Sequence, residues 1–228
     1  MTEREKILGR IREALTVKAP RPGQHGNREH VGKMASATGR AGEWLPGVGD
    51  TFDDQLARFR ANAIDLKAEF QLFDKRDELT AALLKLREAE GWKKIATHSG
   101  ELTDAAAGTL ALPVCKTDAT YNVTELESCD AGITECDALV AQTGSVLVTN
   151  RSAGGRALSV LPPHHVVLAK REQLLRDLPA AFQLLKRKYG ANYPSMISFI
   201  TGPSRTGDIE RILVLGAHGP KKLTIFVI

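Results

Sequence analysis

The 228-residue chain carries only three cysteines, Cys115, Cys129 and Cys136, and no C-x-x-C pair. Spacings of 14 and 7 residues do not hold an iron–sulfur cluster or a structural zinc within this chain. An odd count argues against a disulfide framework, so the thiols are read as reduced and structural. No apolar run approaches the 18 or so residues that a membrane-spanning helix needs. The first fifteen residues, MTEREKILGRIREAL, are charged throughout and lack the apolar core of a signal peptide, so a cytoplasmic location is expected. Two tryptophans, three tyrosines and seven phenylalanines are scattered along the chain, and no zinc finger or other nucleic-acid module accompanies them. The P-loop pattern, the dinucleotide fingerprint G-x-G-x-x-G and the G-x-S-x-G nucleophile elbow are all missing.

The length suffices for one sizeable α/β domain with an appendage. The mild net charge of +4 is concentrated in the first 40 residues. Residues 2–16 have helical spacing through Ile7, Leu8, Ile11 and Leu15. Residues 18–50 are rich in Gly, Pro and charge and read as a linker or an arm lying on a partner, with Trp44 as a docking aromatic. The division expected is therefore an N-terminal helix and arm over 1–50, then a domain over 51–228.

Within that domain, Phe52, Leu56, Phe59, Ala63, Leu66 and Phe70 predict one helix, with Thr51 or Asp53 as its N-cap. A second helix runs from Asp77 to Ala89 and Gly91 ends it. KKIATH and LPVCKT read as strands around a helix over 102–109, a rhythm that favours a parallel sheet covered by helices. Ala138–Val140 and Ser145–Val148 predict a hairpin about Gln142-Thr143-Gly144. HHVVLA is a further strand, followed by two helical pieces, the second striped by Leu178, Phe182, Leu185 and Tyr189. SMISFIT and LTIFVI read as strands buried on both faces.

Three stretches carry candidate chemistry. GPSRTGDIE, residues 202–210, follows a strand and is expected to open a short helix. Gly202, Ser204, Arg205 and Thr206, with helix amides, suit a carboxylate or phosphate at the carboxyl edge of a sheet. Asp208 can cap that helix and Glu210 can load its first turn; the alternative is that these groups only end a strand. In GAHGPKK, His218 and Gly219 lie on a turn, where a histidine can act as acid, base or anion contact or simply face solvent. Only nine residues separate Asp208 from His218, so the two loops can meet. Thr143, Gly144 and Ser145 lie at the hairpin turn, and Arg156, beside two glycines, can clamp an anion or be a solvated loop charge. His164 and His165 project to opposite faces of their strand, so a shared metal is not expected. These readings stop at an anion-binding α/β domain without a nameable reaction.

GITECDALVAQTGSVLV, LSVLPPHHVVLAKREQLL, SFITGPSRTGDIE and LVLGAHGPKKLTIFVI, in this order, resemble the lactate utilisation protein C family and its shared LUD domain, over roughly 130–228. The resemblance implies a three-layer α/β/α sandwich like that of ribose-5-phosphate isomerase, glucosamine-6-phosphate deaminase and CoA transferases. It implies a subunit that, with a cysteine-rich and a ferredoxin-like iron–sulfur partner, oxidises L-lactate to pyruvate. No cofactor is expected in this chain itself. The positions matching the family's motifs are Thr143 to Ser145, Pro162, Pro163, Gly202 to Glu210 and His218 to Pro220. Where the family's pattern leads to an acidic residue, Gln142 stands, which argues against a carboxylate role at that position, with Glu135 and Asp137 as the carboxylates nearby. On this reading Ser204 and Arg205 hold a small carboxylate and His218 assists proton movement. The competing expectations are a non-catalytic assembly subunit docking through residues 1–50, and, by fold analogy alone, an enzyme of sugar phosphates or CoA esters.

Overall fold

A computed structural model of the chain describes residues 47–118, 120–207, 213–216 and 218–228, with Gly9 and Leu45; for residues 206, 207 and 213–215 it describes the backbone alone. The chain divides into two units, Met1–Trp44 and Leu45–Ile228, and the second holds the elements below. The helix expected over 2–16, most of the expected arm and Trp44 lie outside the described residues.

Helix α1 spans Phe52–Asp65, and Thr51 is its N-cap, its hydroxyl accepting the Asp54 N–H at 3.1 Å. The helix stops sooner than its apolar spacing predicts. Lys67 turns at a positive φ of 66°, and Phe70 belongs to strand β1, Glu69–Leu72. Pairing of β1 with the C-terminal strand outweighs the local helical period, which Phe70 matched only by spacing. Helix α2, Arg76–Glu90, ends at the left-handed Gly91. Then follow β2 (Ile95–Thr97), α3 (Glu101–Leu110), β3 (Val114–Lys116), the short α4 (Val123–Glu127) and β4 (Ala131–Thr134). A hairpin of β5 (Ala138–Val140) and β6 (Ser145–Thr149) leads to β7 (His164–Ala169), a 3-10 turn at Arg171–Gln173 and β8 (Leu174–Leu175). Helix α5, Leu178–Tyr189, starts at Asp177, whose Oδ1 accepts the Ala180 N–H at 2.9 Å. The chain closes with β9 (Ile197–Ile200), β10 (Arg205–Gly207), β11 (Leu213–Leu215) and β12 (Lys222–Val227).

Six strands form a fully parallel central sheet in the order β1-β12-β7-β4-β2-β3. Alternate residues face opposite layers, as strand geometry requires. Ile95, Ile133, Val166, Leu168 and Phe226 pack against Leu79, Leu83, Leu102 and Leu110 of α2 and α3. On the other face Val167, Ala169, Leu223, Ile225 and Val227 meet Phe59 and Ala63 of α1 and, from a second sheet, Leu139, Val146 and Val148. That second sheet, β8-β5-β6-β9, carries α5 on its outer side through Ala181, Leu185 and Tyr189. The mixed α/β class with a parallel core is as the sequence predicts. On one side, a four-stranded sheet stands between the core and the outer helix.

Two strand assignments change in detail. β12 is buried along nearly its whole length. β9 is instead an edge strand of the smaller sheet, half-buried, with Ile197 exposed. The short helix expected from Asp208 lies outside the described residues; around that segment β10 pairs antiparallel with β11, Arg205 opposite Leu215.

Candidate functional site

The parallel register fixes two ends of the central sheet. β7 and β12 start side by side, His164 opposite Lys222, at the amino edge. At this edge most of the sequence-predicted residues gather. Ser145, buried, donates to the Thr143 hydroxyl at 2.8 Å and also lies 2.8 Å from the Thr201 hydroxyl. Asn62 of α1 donates to the carbonyls of Ala141 and Gln142 at 2.8 and 3.1 Å, which fastens the hairpin turn to the helix. Gly144 and Gly202 have φ of 65° and 87°, and a β-carbon on them would lie 2.7 Å from Asn62 Cβ and 2.7 Å from the Leu66 carbonyl oxygen. Thr143, Gly144, Ser145 and Gly202 thus join the small sheet to the end of α1.

Beside this joint, two loops form a lip. The Ser204 N–H donates to the Pro220 carbonyl at 2.9 Å, and the Gly216 N–H donates to the Ser204 carbonyl at 2.9 Å. A β-carbon on Gly219 would stand 3.2 Å from Ser204 Cβ, so the two motifs touch. Arg205 and His218 are both exposed on this lip. The backbone of Thr206 pairs with that of Val214, while Asp208 and Glu210 lie outside the described residues. The lip stands at the amino edge, because the chain runs from Gly219 through Pro220 and Lys221 into the first residue of β12. This differs from the carboxyl-edge location that a strand-to-helix reading predicts. Arg156 is not part of the group: it follows the far end of β6 and donates to the Ser195 carbonyl at 2.7 Å.

The carboxyl edge carries residues that the sequence did not nominate. β3 and β4 flank β2, so the chain leaves β2 outward and returns across it, which makes these strand ends the point where the strand order reverses. Helix α3 starts there at Gly100, which has no side chain to cap it. Glu135, after β4, does so instead, accepting the Leu102 N–H at 2.8 Å. His98 accepts the Glu135 N–H at Nε2 (3.1 Å), so its Nδ1 carries the proton and donates to the Ser99 carbonyl at 3.0 Å. Asp118 accepts from the Ser99 N–H and hydroxyl at 2.6 and 2.7 Å. Glu101 bonds Arg76 at 2.5 Å and Lys170 at 2.6 Å, and Lys116 pairs with Asp104. Lys170 and then Arg76 hold the Glu101 carboxyl below the usual range. These groups satisfy one another. The one local signal in the sequence is the run THSGE after β2, a strand end followed by a helix start.

Back at the amino edge, a cavity of about 190 Å³ is lined by Glu90, Trp92, Asp130, Pro163, His164, Lys221 and Lys222. The His164 ring is buried, edge-on to Trp92, with centroids 5.3 Å apart. Its Nε2 lies 2.9 Å from the Thr224 hydroxyl, which itself donates to Glu69 at 3.2 Å. Nε2 is therefore the donor, and Nδ1 carries a lone pair with no hydrogen-bond partner. Burial pushes His164 down to about 4, against the pull of Glu90 and with the help of Lys222, so the ring is neutral at pH 7. His165 faces the opposite side, its Nε2 2.9 Å from the Thr134 hydroxyl. Among the described residues no cluster of three or more His, Cys, Asp or Glu side chains is arranged to hold a metal.

A model of the LUD domain matches residues 56–228. The chain belongs to the LUD domain family. Over its full length it is 25% identical to lactate utilization protein C of Bacillus velezensis, covering 96% of that protein. It is 37% identical to lactate utilization protein C of Anoxybacillus flavithermus over 107 residues, and 33% identical to that of Shouchella clausii over 112. In these two matches the chain spans about half the length of the relative, 47% and 49%. A crystal structure of a DUF162 family protein from Deinococcus radiodurans superposes with a TM-score of 0.61 at 19% identity, covering 78% of this chain and 98% of that one, which shows a shared fold.

The LUD domain of this chain also holds an ion pair far from the lip. Asp137 Oδ1 accepts from Lys188 Nζ and from the Tyr189 hydroxyl, both at 2.6 Å, and its side chain is wholly buried. Burial alone raises the carboxyl, but Lys188, with Ser152 and Tyr189, holds it below its ordinary range. The three thiols are buried and free, and burial pushes Cys129 up to about 11 and Cys136 higher still, which makes both poor nucleophiles. Among the described residues no helix is long and apolar enough to cross a membrane.

Proposed function

We propose that this LUD domain chain serves lactate utilisation as a subunit of a complex that oxidises L-lactate to pyruvate. The match to lactate utilization protein C along the full chain supports this reading. The observation that carries a ligand-binding role is the contact between Ser204 and Gly219, which makes one lip of two separate motifs. Arg205 and Ser204 hold the lactate carboxylate by charge-assisted and neutral hydrogen bonds. His218, exposed on the same lip, exchanges protons with solvent. Oxidation of the alcohol to the ketone removes two electrons and two protons. The electrons go to iron–sulfur clusters of a cysteine-rich and a ferredoxin-like partner subunit.

The test is lactate oxidation and lactate-dependent growth with Arg205→Ala. Loss of a charge-assisted bond costs about 1.5–3 kcal/mol, or about ten- to a hundredfold in affinity. Unchanged oxidation would remove the lip from the reaction. If deleting the chain then still abolished growth, the assembly role would stand in its place.

A further inference from the structure

The smaller sheet ends in β9, and β9 pairs with β6 alone among the described residues. The Asn150 N–H donates to the Met196 carbonyl at 3.2 Å, which fixes how the ladder alternates. In an antiparallel pair every second residue turns its N–H and C=O toward the neighbouring strand. Ser198 and Ile200 therefore direct their backbone groups at β6, while Ile197 and Phe199 turn theirs outward. Native sheets blunt such an edge with lysine or another charge. Here no charged residue stands between Lys188 and Arg205. The side chains are apolar as well. Ile197 is exposed, and the ring centroids of Phe199 and Phe182 are 5.6 Å apart, with Phe182 58% exposed on α5. An uncharged edge beside an uncovered aromatic suits the addition of another strand.

We infer that β9 pairs antiparallel with β9 of a second copy of this chain, across a two-fold axis at Ser198. The edge itself selects that occupant. About this axis Ile197 lies opposite Phe199 of the second copy, and Phe199 opposite its Ile197, so each outward N–H and C=O meets its complement. Ser198 meets its own counterpart at the close, non-hydrogen-bonded position, where a small side chain lets the strands approach. A surface that complements itself in this way is what a two-fold dimer requires. The helices agree with the same symmetry. α5 begins beside the hairpin turn, where the Leu178 N–H donates to Gln142 Oε1 at 3.4 Å. It ends at Tyr189, whose hydroxyl lies 3.1 Å from that of Thr149, the residue opposite Ile197. α5 thus runs against β9, and the axis sets the two α5 helices antiparallel. Lys186, Arg187 and Lys188 of the two copies then stand at opposite ends of the seam, without mutual repulsion, and Phe182 of each lies beside the join. The two four-stranded sheets become one. The inference concerns assembly of the chain with itself and does not depend on the lactate reading.

The experiment measures the mass of the full-length chain by sedimentation equilibrium over a range of concentrations, with amide hydrogen exchange followed at the dilute and concentrated ends. The expected result is a monomer–dimer equilibrium with Kd of about 10 μM or tighter. The Ile197 and Phe199 amides should be protected only where the dimer is populated. Ile197→Lys sets a cation on each side of the axis, and Phe182→Glu sets a carboxylate beside the join. Each should weaken the dimer about tenfold or more. Ile64→Lys, at an apolar residue of α1 as exposed as Phe182, should leave it unchanged. Circular dichroism checks that all three variants keep the fold. A chain that stays monomeric at about 100 μM overturns the inference, whether its Ile197 and Phe199 amides exchange freely or are already protected within one chain. A dimer that survives both Ile197→Lys and Phe182→Glu, or that leaves the two amides unprotected, uses another face and overturns it as well.

Discussion

The carboxylate of Glu135 accepts the backbone N–H of Leu102 at 2.8 Å and so caps a helix that begins 34 residues earlier in the chain. The geometry depends on Gly100, where a β-carbon would lie 2.4 Å from Glu135 Oε1. Glu135→Ala is expected to cost about 1–2 kcal/mol, the worth of a helix cap with a favourable charge at the positive end of the dipole. Gly100→Ala displaces the same carboxylate and should cost a similar amount. The double variant should then lose little more than either single one, since both remove one interaction. Urea unfolding midpoints measure all three, and fully additive losses would contradict the shared cap.

The joint between the hairpin and α1 is less forgiving. Gly144→Ala combines a left-handed backbone with a β-carbon 2.7 Å from Asn62 Cβ. A cost of about 2–4 kcal/mol is expected from strain and overpacking together. Asn62→Ala, which leaves the Ala141 and Gln142 carbonyls without their donor, should lose about 1–2 kcal/mol. Thermal unfolding of the two variants checks the order.

For the Asp137–Lys188 pair the two partners differ in exposure: the Asp137 side chain is fully buried, while that of Lys188 is 48% exposed. Lys188→Met leaves a buried carboxylate without its cation, and Asp137→Asn leaves an ammonium that water can still reach. The first should therefore destabilise more than the second, by about 3 kcal/mol or more against about 1–2. The reverse order, read from chemical denaturation, would contradict the assigned burial.

Acid sensitivity follows from His164 and His165, held by burial to about 4 and about 3 against an ordinary 6.5. The unfolded chain takes up these protons from about pH 6.5 downward, while the folded chain does not. Stability is thus fully present above 6.5 and falls as pH drops toward 4, by about 1.4 kcal/mol per pH unit for each histidine. Below about 4 the His164 contribution is exhausted. His165→Gln, which removes one titrating ring away from the cavity, should about halve the slope between pH 6 and 4.5. An unchanged slope would mean that His165 is not held neutral.

Much of the fold was legible because its signals are local. Thr51, Asp177 and Gly91 mark helix ends by their own chemistry, and the alternation in HHVVLA announced opposite faces for His164 and His165. Phe70 misled because a helical interval also fits a strand that pairs with residues 155 positions away. The lip was legible in outline, since Ser204 and Gly219 are close in sequence. The helix expected after Asp208 lies outside the described residues, while Arg205 just before it pairs with Leu215 across two short strands. The carboxyl edge stayed hidden: His98, Asp118 and Glu135 follow three different strands and meet only through sheet order. The cavity was hidden for the same reason, as Glu90, Trp92, His164 and Lys221 share no motif.

The most direct measurement of the central claim is lactate-dependent growth and lactate oxidation in a strain lacking this chain, complemented with wild type or with Arg205→Ala. The account predicts that deletion abolishes both, that wild type restores them, and that Arg205→Ala restores them only at lactate concentrations about ten- to a hundredfold higher. Full rescue by Arg205→Ala at the wild-type concentration, or growth on lactate without the chain, would contradict it.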